Sequence, residues 1–294
     1  MRTVRAALTA GAGAAAYAVW EARAYRVAEV EVPLAPGAPS LSILHLSDTH
    51  MTRSKRKMMA FLEDLPDVLG EAPDLVIATG DMIDDDSGID PLVKSLSAIP
   101  ARLGRYYVLG SHDYFQATLR GWLHGLKKFY SGSREPLRIR RADVGRLEDG
   151  LRADGWVALT NTTEFVAAGA GANVRLTGID DPSLRRHRLD HVERTADDAL
   201  AVGVLHTPEL LSMWANRGYD LVLAGHTHGG QVRMPFVGAL VTNCSLPNAL
   251  ARGLHRVGNT WVHVSPGLGT SKFSRFRFLC PPEVTLLRVA PVGP

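Results

Sequence analysis

Two histidines one residue apart, His226 and His228, follow a short apolar run, Leu221–Ala224, and precede Gly229 and Gly230. Imidazole nitrogens bind metals and carry protons near neutral pH, and glycines let the backbone pass close to whatever the rings hold. Alone, such a pair is equally well explained by solvated surface histidines. The arrangement recurs, however. Asp48 and His50 follow Leu41–Leu46, and Asp81 and Asp84 follow Leu75–Ala78. Ser111, His112 and Asp113 follow Arg105–Leu109, and His206 follows Val202–Leu205. Any one of these fits ordinary turn chemistry, with aspartate at a helix cap or in a Gly-Asp turn. Recurrence at five run ends does not. Oxygen and nitrogen donors without thiolate suit manganese, iron or zinc rather than calcium, without selecting among them.

The elements that must position these groups follow from periodicity. The apolar runs have the length of buried strands, and Lys55–Leu69 and Pro91–Ile99 carry helical apolar spacing between them, with Pro66 bending the first. Strand alternating with helix predicts a layered α/β sheet, in which ligands gather beyond the carboxyl ends of the strands. Tyr114–Gly145 interrupts the rhythm and is basic and aromatic from Trp122 to Arg141, which suggests a flap able to cover an anionic substrate with an apolar part. A helix is expected over Leu147–Gly155 and strands over Trp156–Leu159 and Val174–Ile179, the latter closed by an Asp180-Asp181 turn before Pro182. Trp261–Val264 and Val284–Val289 are expected to form a terminal β-layer. Lys272–Phe278 alternates basic and aromatic residues, as an edge strand or a lipid-headgroup contact would.

At 294 residues, 46% hydrophobic and 21% charged, the composition is that of a folded globular chain. A net charge of +3 suits an anionic substrate or surface but is too small to imply nucleic acid, and none is expected as a partner. Cys244 and Cys280 are too few for a disulfide framework; two separate thiols are favoured over one bridge. Residues 1–26 combine Arg2 and Arg5 with an Ala/Gly-rich apolar run, open to three explanations: membrane anchor, cleaved signal or plain helix. Residues 27–40, broken by Pro33, Pro36 and Pro39, form an edge strand and linker into one domain over 41–290.

Together the motifs DTH, GDMID, GSHD, HTPELL and DLVLAGHTHGGQVRMP, in this order, resemble the calcineurin-like metallophosphoesterase superfamily. The flanking residues and the apolar N-terminus resemble its membrane-associated bacterial branch of YkuE- and YaeI-like phosphodiesterases. The resemblance implies a four-layer αββα sandwich with a dinuclear metal site at the strand ends. It implies that Asp48, His50 and His228 hold one divalent ion, that His206 and His226 hold another, and that Asp81 bridges them. His112 then protonates the leaving oxygen, Asp113 orients His112 from behind, and Asp84 supports the ligands without binding metal. A metal-bridging hydroxide would cleave a phosphodiester or pyrophosphate, on a lipid-linked substrate such as a UDP-linked acylated sugar if the N-terminus contacts a membrane. One position departs from the pattern: Ser111 stands where the family carries a metal-binding asparagine, which implies weaker second-site affinity. The alternative is a metal-centred phosphate-binding protein with little or no turnover. Oligomeric state is not legible.

Overall fold

Strong apolar runs become short strands buried on both faces. Leu41–Leu46 (β2), Leu75–Ala78 (β3), Leu200–Val204 (β8) and Leu221–Ala224 (β9) expose none of their residues, as parallel strands covered on both sides must. In this computed structural model residues 2–121, 123, 140–169, 171–242 and 244–292 are described, with only the backbone for residues 2–8 and 10.

The strands divide between two six-stranded sheets. The first joins Arg26–Leu34 (β1), Glu283–Pro291 (β14), β2, β3, Gly104–Tyr107 (β4) and Trp156–Ala158 (β5) in that order, and β2 to β5 run parallel. The second joins Gly253–Val257 (β12), Thr260–Val264 (β13), β9, β8, Ala172–Gly178 (β7) and Thr162–Ala168 (β6), with β13, β9, β8 and β7 parallel. A small hairpin, Arg233–Met234 (β10) with Gly238–Ala239 (β11), stands apart.

Between the sheets lies one apolar cluster that includes Ile43, Leu75, Ile77, Val174, Leu176, Val202, Val204, Leu221 and Leu223. The outer face of the first sheet is covered by Arg56–Glu63 (α2), Leu65–Leu69 (α3), Ile89–Ser97 (α4) and Val144–Ala153 (α6), through Met58, Leu62, Leu92, Leu96, Leu147 and Leu151. The second sheet is covered by Leu211–Asn216 (α7) and neighbouring loops around Trp214 and Tyr219. Helix, sheet, sheet and helix give the four-layer αββα arrangement.

The helix expected over Lys55–Leu69 divides at Asp64, because Pro66 enters the first turn of α3, where a missing N–H costs nothing. The expected terminal β-layer does not form. Trp261–Val264 lies in the second sheet beside β9, whereas Val284–Val289 lies in the first between β1 and β2. Lys272–Phe278 is not an edge strand either: it is irregular apart from a bridge at Phe278, and Arg277 within it is fully buried. Both cysteines are free. The Asp180-Asp181 turn forms as expected, with Asp181 capping a short helical turn at Pro182–Leu184. Most of the basic, aromatic stretch from Trp122 to Arg141 lies outside the described residues. The N-terminal helix, Arg2–Glu21 (α1), is fastened to the body by the Arg277 amide donating to Ala18 O (2.9 Å) and the Cys280 amide donating to Glu21 Oε2 (3.0 Å). No helix among the described residues is long and apolar enough to cross a membrane.

Candidate metal centre

Where β2 and β3 end, their loops continue to hold one another. Asp48 N donates to Gly80 O, His50 N to Asp81 O and Met51 N to Met82 O, at 2.8 to 3.0 Å. Gly225 N reaches His206 O across the second sheet (2.9 Å), and Leu268 and Gly269 donate to the carbonyls of Ser47 and Asp48. The turns are tight enough that Asp48, His50, Asp81, His226 and His228 all take left-handed backbone, with φ between 44° and 69°. Such strain collects at functional sites. Gly225 shows how close the packing is, since a Cβ there would overlap Ser47 Oγ and Asp48 Oδ2.

These turns place the candidate groups together. Asp48, His50 and His228 form one set with ligand atoms within 4.8 Å of one another; Asp81, His206 and His226 form a second. His50, Asp81 and His112 form a third set that links the first two. Asp81 Oδ2 stands between them, 3.7 Å from His50 Nε2 and 3.3 Å from His206 Nε2, while Asp81 Oδ1 accepts the His112 amide at 2.8 Å.

Three imidazoles are oriented in the same way. His50 Nδ1 donates to Asp84 Oδ1 (2.7 Å), His206 Nδ1 to Thr79 O (2.7 Å) and His228 Nδ1 to Gly269 O (3.2 Å). Each Nε2 is thereby turned inward, the usual device for presenting a metal-ligating histidine. His50 Nε2 and His228 Nε2 face each other at 3.1 Å, a separation that a cation shared by both nitrogens would relieve. Asp48 Oδ1 and His206 Nε2 are buried without hydrogen-bond partners, although buried polar atoms are normally satisfied. The donor set, its orientation and these two orphaned atoms fit divalent metal ions.

The electrostatics agree. Burial works against charge on Asp81 and Asp48, but the surrounding imidazoles hold both carboxyls below the usual range, Asp81 far below. Burial keeps His228 neutral, its pKa brought down to about 3. His206 goes the other way: the Asp81 carboxylate overcomes burial and raises it well above its ordinary value, so a metal ion must displace a proton there.

Around this centre the remaining expected residues are distributed unevenly. Asp84 is buried, with Oδ1 on His50, Oδ2 accepting the Lys272 amide (2.6 Å), and His112 Nδ1 3.5 Å away. Asp113 does not orient His112. Its oxygens accept the backbone N–H groups of Met82 (2.7 Å), Ile83 (3.1 Å) and Gly110 (2.9 Å), because three amides converge on it and leave no oxygen for the ring. Asp84 occupies the place beside His112 that was expected of Asp113. Ser111 opens the short helix Ser111–Tyr114 (α5) directly after Gly110, where a Cβ would overlap Asp81 and His206.

One residue had no signal in the sequence beyond a place in an alternating run. Arg277 Nη2 donates to the carbonyls of Pro266 (2.8 Å), Gly267 (3.0 Å) and Gly269 (2.8 Å) and lies 3.4 Å from His228 Nδ1. A fully buried guanidinium thus ties the loop that carries the His228 acceptor.

Comparison with known proteins agrees with this geometry. The family described as calcineurin-like phosphoesterase matches residues 41–230. Among relatives, the uncharacterized metallophosphoesterase YkuE of Bacillus subtilis is 26% identical, over 95% of this chain and 91% of that protein. A transmembrane protein with metallophosphoesterase domain from Danio rerio is 31% identical over 83% of this chain and 53% of its own length. The UDP-2,3-diacylglucosamine pyrophosphatase LpxG of Chlamydia trachomatis is 26% identical over 84% of this chain and 83% of that one.

Proposed function

Because the chain belongs to the calcineurin-like phosphoesterase family, we propose that it hydrolyses phosphodiesters or pyrophosphates on lipid-linked or membrane-associated substrates, using two divalent ions. In this assignment Asp48, His50 and His228 hold one ion, His206 and His226 the other, and Asp81 serves both. The observation that carries it is the position of Asp81 Oδ2 between His50 Nε2 and His206 Nε2, at 3.7 and 3.3 Å.

Such cations, when bound, would set positive charge against the phosphoryl oxygens and acidify a water molecule. The chain supplies the rest. Four strand ends, those of β2, β3, β8 and β9, hold the ligands on rigid elements, so little reorganisation accompanies the reaction. His112 stands at the rim with Nδ1 toward Asp84 and its ring edge-on to His50, which leaves Nε2 to hold a proton for the leaving oxygen. Although burial opposes its charge, Asp81, followed by Asp84 and Asp113, raises the His112 imidazole to about 9.

Two observations support a substrate at a lipid surface. Met234, Phe236, Val237, Leu240 and Val241 are exposed in and just after the β10–β11 hairpin, directly after the His226–Gln231 turn. Phe276 and Leu279 are exposed beside them, because Arg233 N donates to Phe278 O. LpxG, by its name, acts on a UDP-linked acylated sugar, which makes that class the first substrate to try.

Manganese-dependent hydrolysis of bis-p-nitrophenyl phosphate, compared with the monoester, tests the proposal. Asp81→Ala should lower turnover by more than about 100-fold, beyond the loss caused by removing an outer partner of a ligand, with the fold intact. Full activity in that variant would overturn the assignment. Ser111, a short neutral hydroxyl, favours a second reading in which the centre binds phosphate with little turnover. Manganese and phosphate binding without hydrolysis of either ester would support it.

A further inference from the structure

A continuous chain of hydrogen bonds runs from the space between the two sheets to the carboxylate of Asp48. His263 Nδ1 on β13 meets His45 Nδ1 on β2 at 2.8 Å, His45 Nε2 meets Thr79 Oγ1 at 2.9 Å, Thr79 Oγ1 meets Ser47 Oγ at 2.7 Å, and Ser47 Oγ meets Asp48 Oδ2 at 2.5 Å. All five residues are buried. Strand alternation places them: along β2 and beyond, Leu41 and Ile43 face the inter-sheet core and His45 and Ser47 continue the same face.

The direction of every proton in the chain follows from its end. A carboxylate only accepts, so Ser47 donates to Asp48. With that proton committed, Ser47 accepts from Thr79, and Thr79 must then accept from His45 Nε2–H. A neutral His45 therefore offers a bare Nδ1, which accepts from His263 Nδ1–H. This leaves His263 Nε2 as a lone acceptor, and that atom is indeed buried without a partner. Burial lowers both imidazoles, His263 to about 3, in keeping with two neutral rings. All four bonds are thus polarised toward Asp48 Oδ2, which also accepts the His226 amide at 3.0 Å. Asp48 Oδ1 remains unpartnered within the metal centre.

We infer that His263, His45, Thr79 and Ser47 are positioning residues: their relay fixes Asp48 with Oδ2 occupied and Oδ1 presented to the cation, and couples the seating of that ligand to the apposition of the two sheets. The inference rests on the assignment of Asp48 as a metal ligand. Hydrogen bonds aligned in one direction reinforce each other in a low-dielectric interior, and outer partners of ligands are worth about 10 to 100-fold in metal affinity.

Manganese titration by calorimetry, with thermal midpoints of the metal-free forms, tests this on the full chain. If the wild type itself binds no manganese, the metal assignment fails before the relay is in question. Ser47→Ala should weaken the binding step that Asp48→Asn abolishes by about 10 to 100-fold. Thr79→Val, nearly isosteric, should weaken the same step at least several-fold, and Thr79→Ser should restore it. In the Ser47→Ala background, Thr79→Val should have no further effect. A merely structural threonine would lower the midpoint without this coupling. Wild-type manganese affinity in Thr79→Val, or full multiplication of the two losses in the double variant, overturns the inference. Should Thr79→Val not fold, His45→Gln, which keeps a donor to Thr79, is compared with His45→Leu, which does not. Equal affinities there also overturn it.

Discussion

The candidate ligands are ordinary residues in uncommon backbone. Left-handed conformations cost non-glycine residues about 1 to 3 kcal/mol each in strained contexts, and aspartate and histidine tolerate them better than most. Asp48, His50, Asp81, His226 and His228 all adopt such conformations, which helps explain why these loops depend on close backbone pairing for support. His112 provides a test at this scale. Its folded pKa lies near 9, above the ordinary 6.5, so in metal-free protein its charge stabilises the fold fully below about pH 6.5, and this contribution fades as pH rises through 9. In EDTA, the thermal midpoint of wild type should exceed that of His112→Gln most near pH 6, with the gap narrowing toward pH 9. Manganese should flatten this trend, because a cation beside Asp81 removes the partner that raises His112. A gap independent of pH in EDTA would refute the role given to Asp81.

Single strands carry the ligands, and their packing sets ligand geometry. Leu223 on β9 is fully buried between the sheets, three residues before His226. Leu223→Ala should cost about 2 to 5 kcal/mol in urea denaturation. It should also weaken manganese binding, because β9 delivers both His226 and His228. Strand identity was legible because β2, β3, β8 and β9 are short, apolar and bounded by turns. Strand placement was not. Val284–Val289 and Trp261–Val264 have similar local patterns yet join different sheets, since pairing partners are chosen by long-range packing that a local window does not contain. β6 and β12, which are only partly buried, carry a weaker apolar signal and escaped prediction.

The molecule as a whole presents a chemically uneven surface beside the metal centre. Phe236, at 109% relative exposure, stands at the tip of the apolar hairpin, and α1 exposes Val19 and Trp20 nearby through its contact with Arg277 and Phe278. Arg275, exposed, directly precedes Phe276 in this surface segment. Exposed apolar side chains with a basic one among them suit an anionic bilayer surface. Phe236→Glu should reduce co-sedimentation with phosphatidylglycerol vesicles by about tenfold or more, as expected from losing the burial of one aromatic side chain. Its hydrolysis of a water-soluble diester should be unchanged. Undiminished vesicle binding would remove the hairpin from any membrane role.

By itself the sequence determined the chemistry available. Five apolar runs ending in carboxylates, imidazoles and a hydroxyl fixed the layered α/β class, the donor set and the family resemblance, because burial and ligand chemistry are written in residue type and short-range spacing. Tertiary structure alone decided which donor does what. Asp84 rather than Asp113 stands beside His112, Arg277 is buried behind His228, and a relay through His45 and His263 reaches Asp48. His45 and His263, 218 positions apart, meet only when two sheets pack face to face, and no local pattern records which atoms that packing brings within 3 Å.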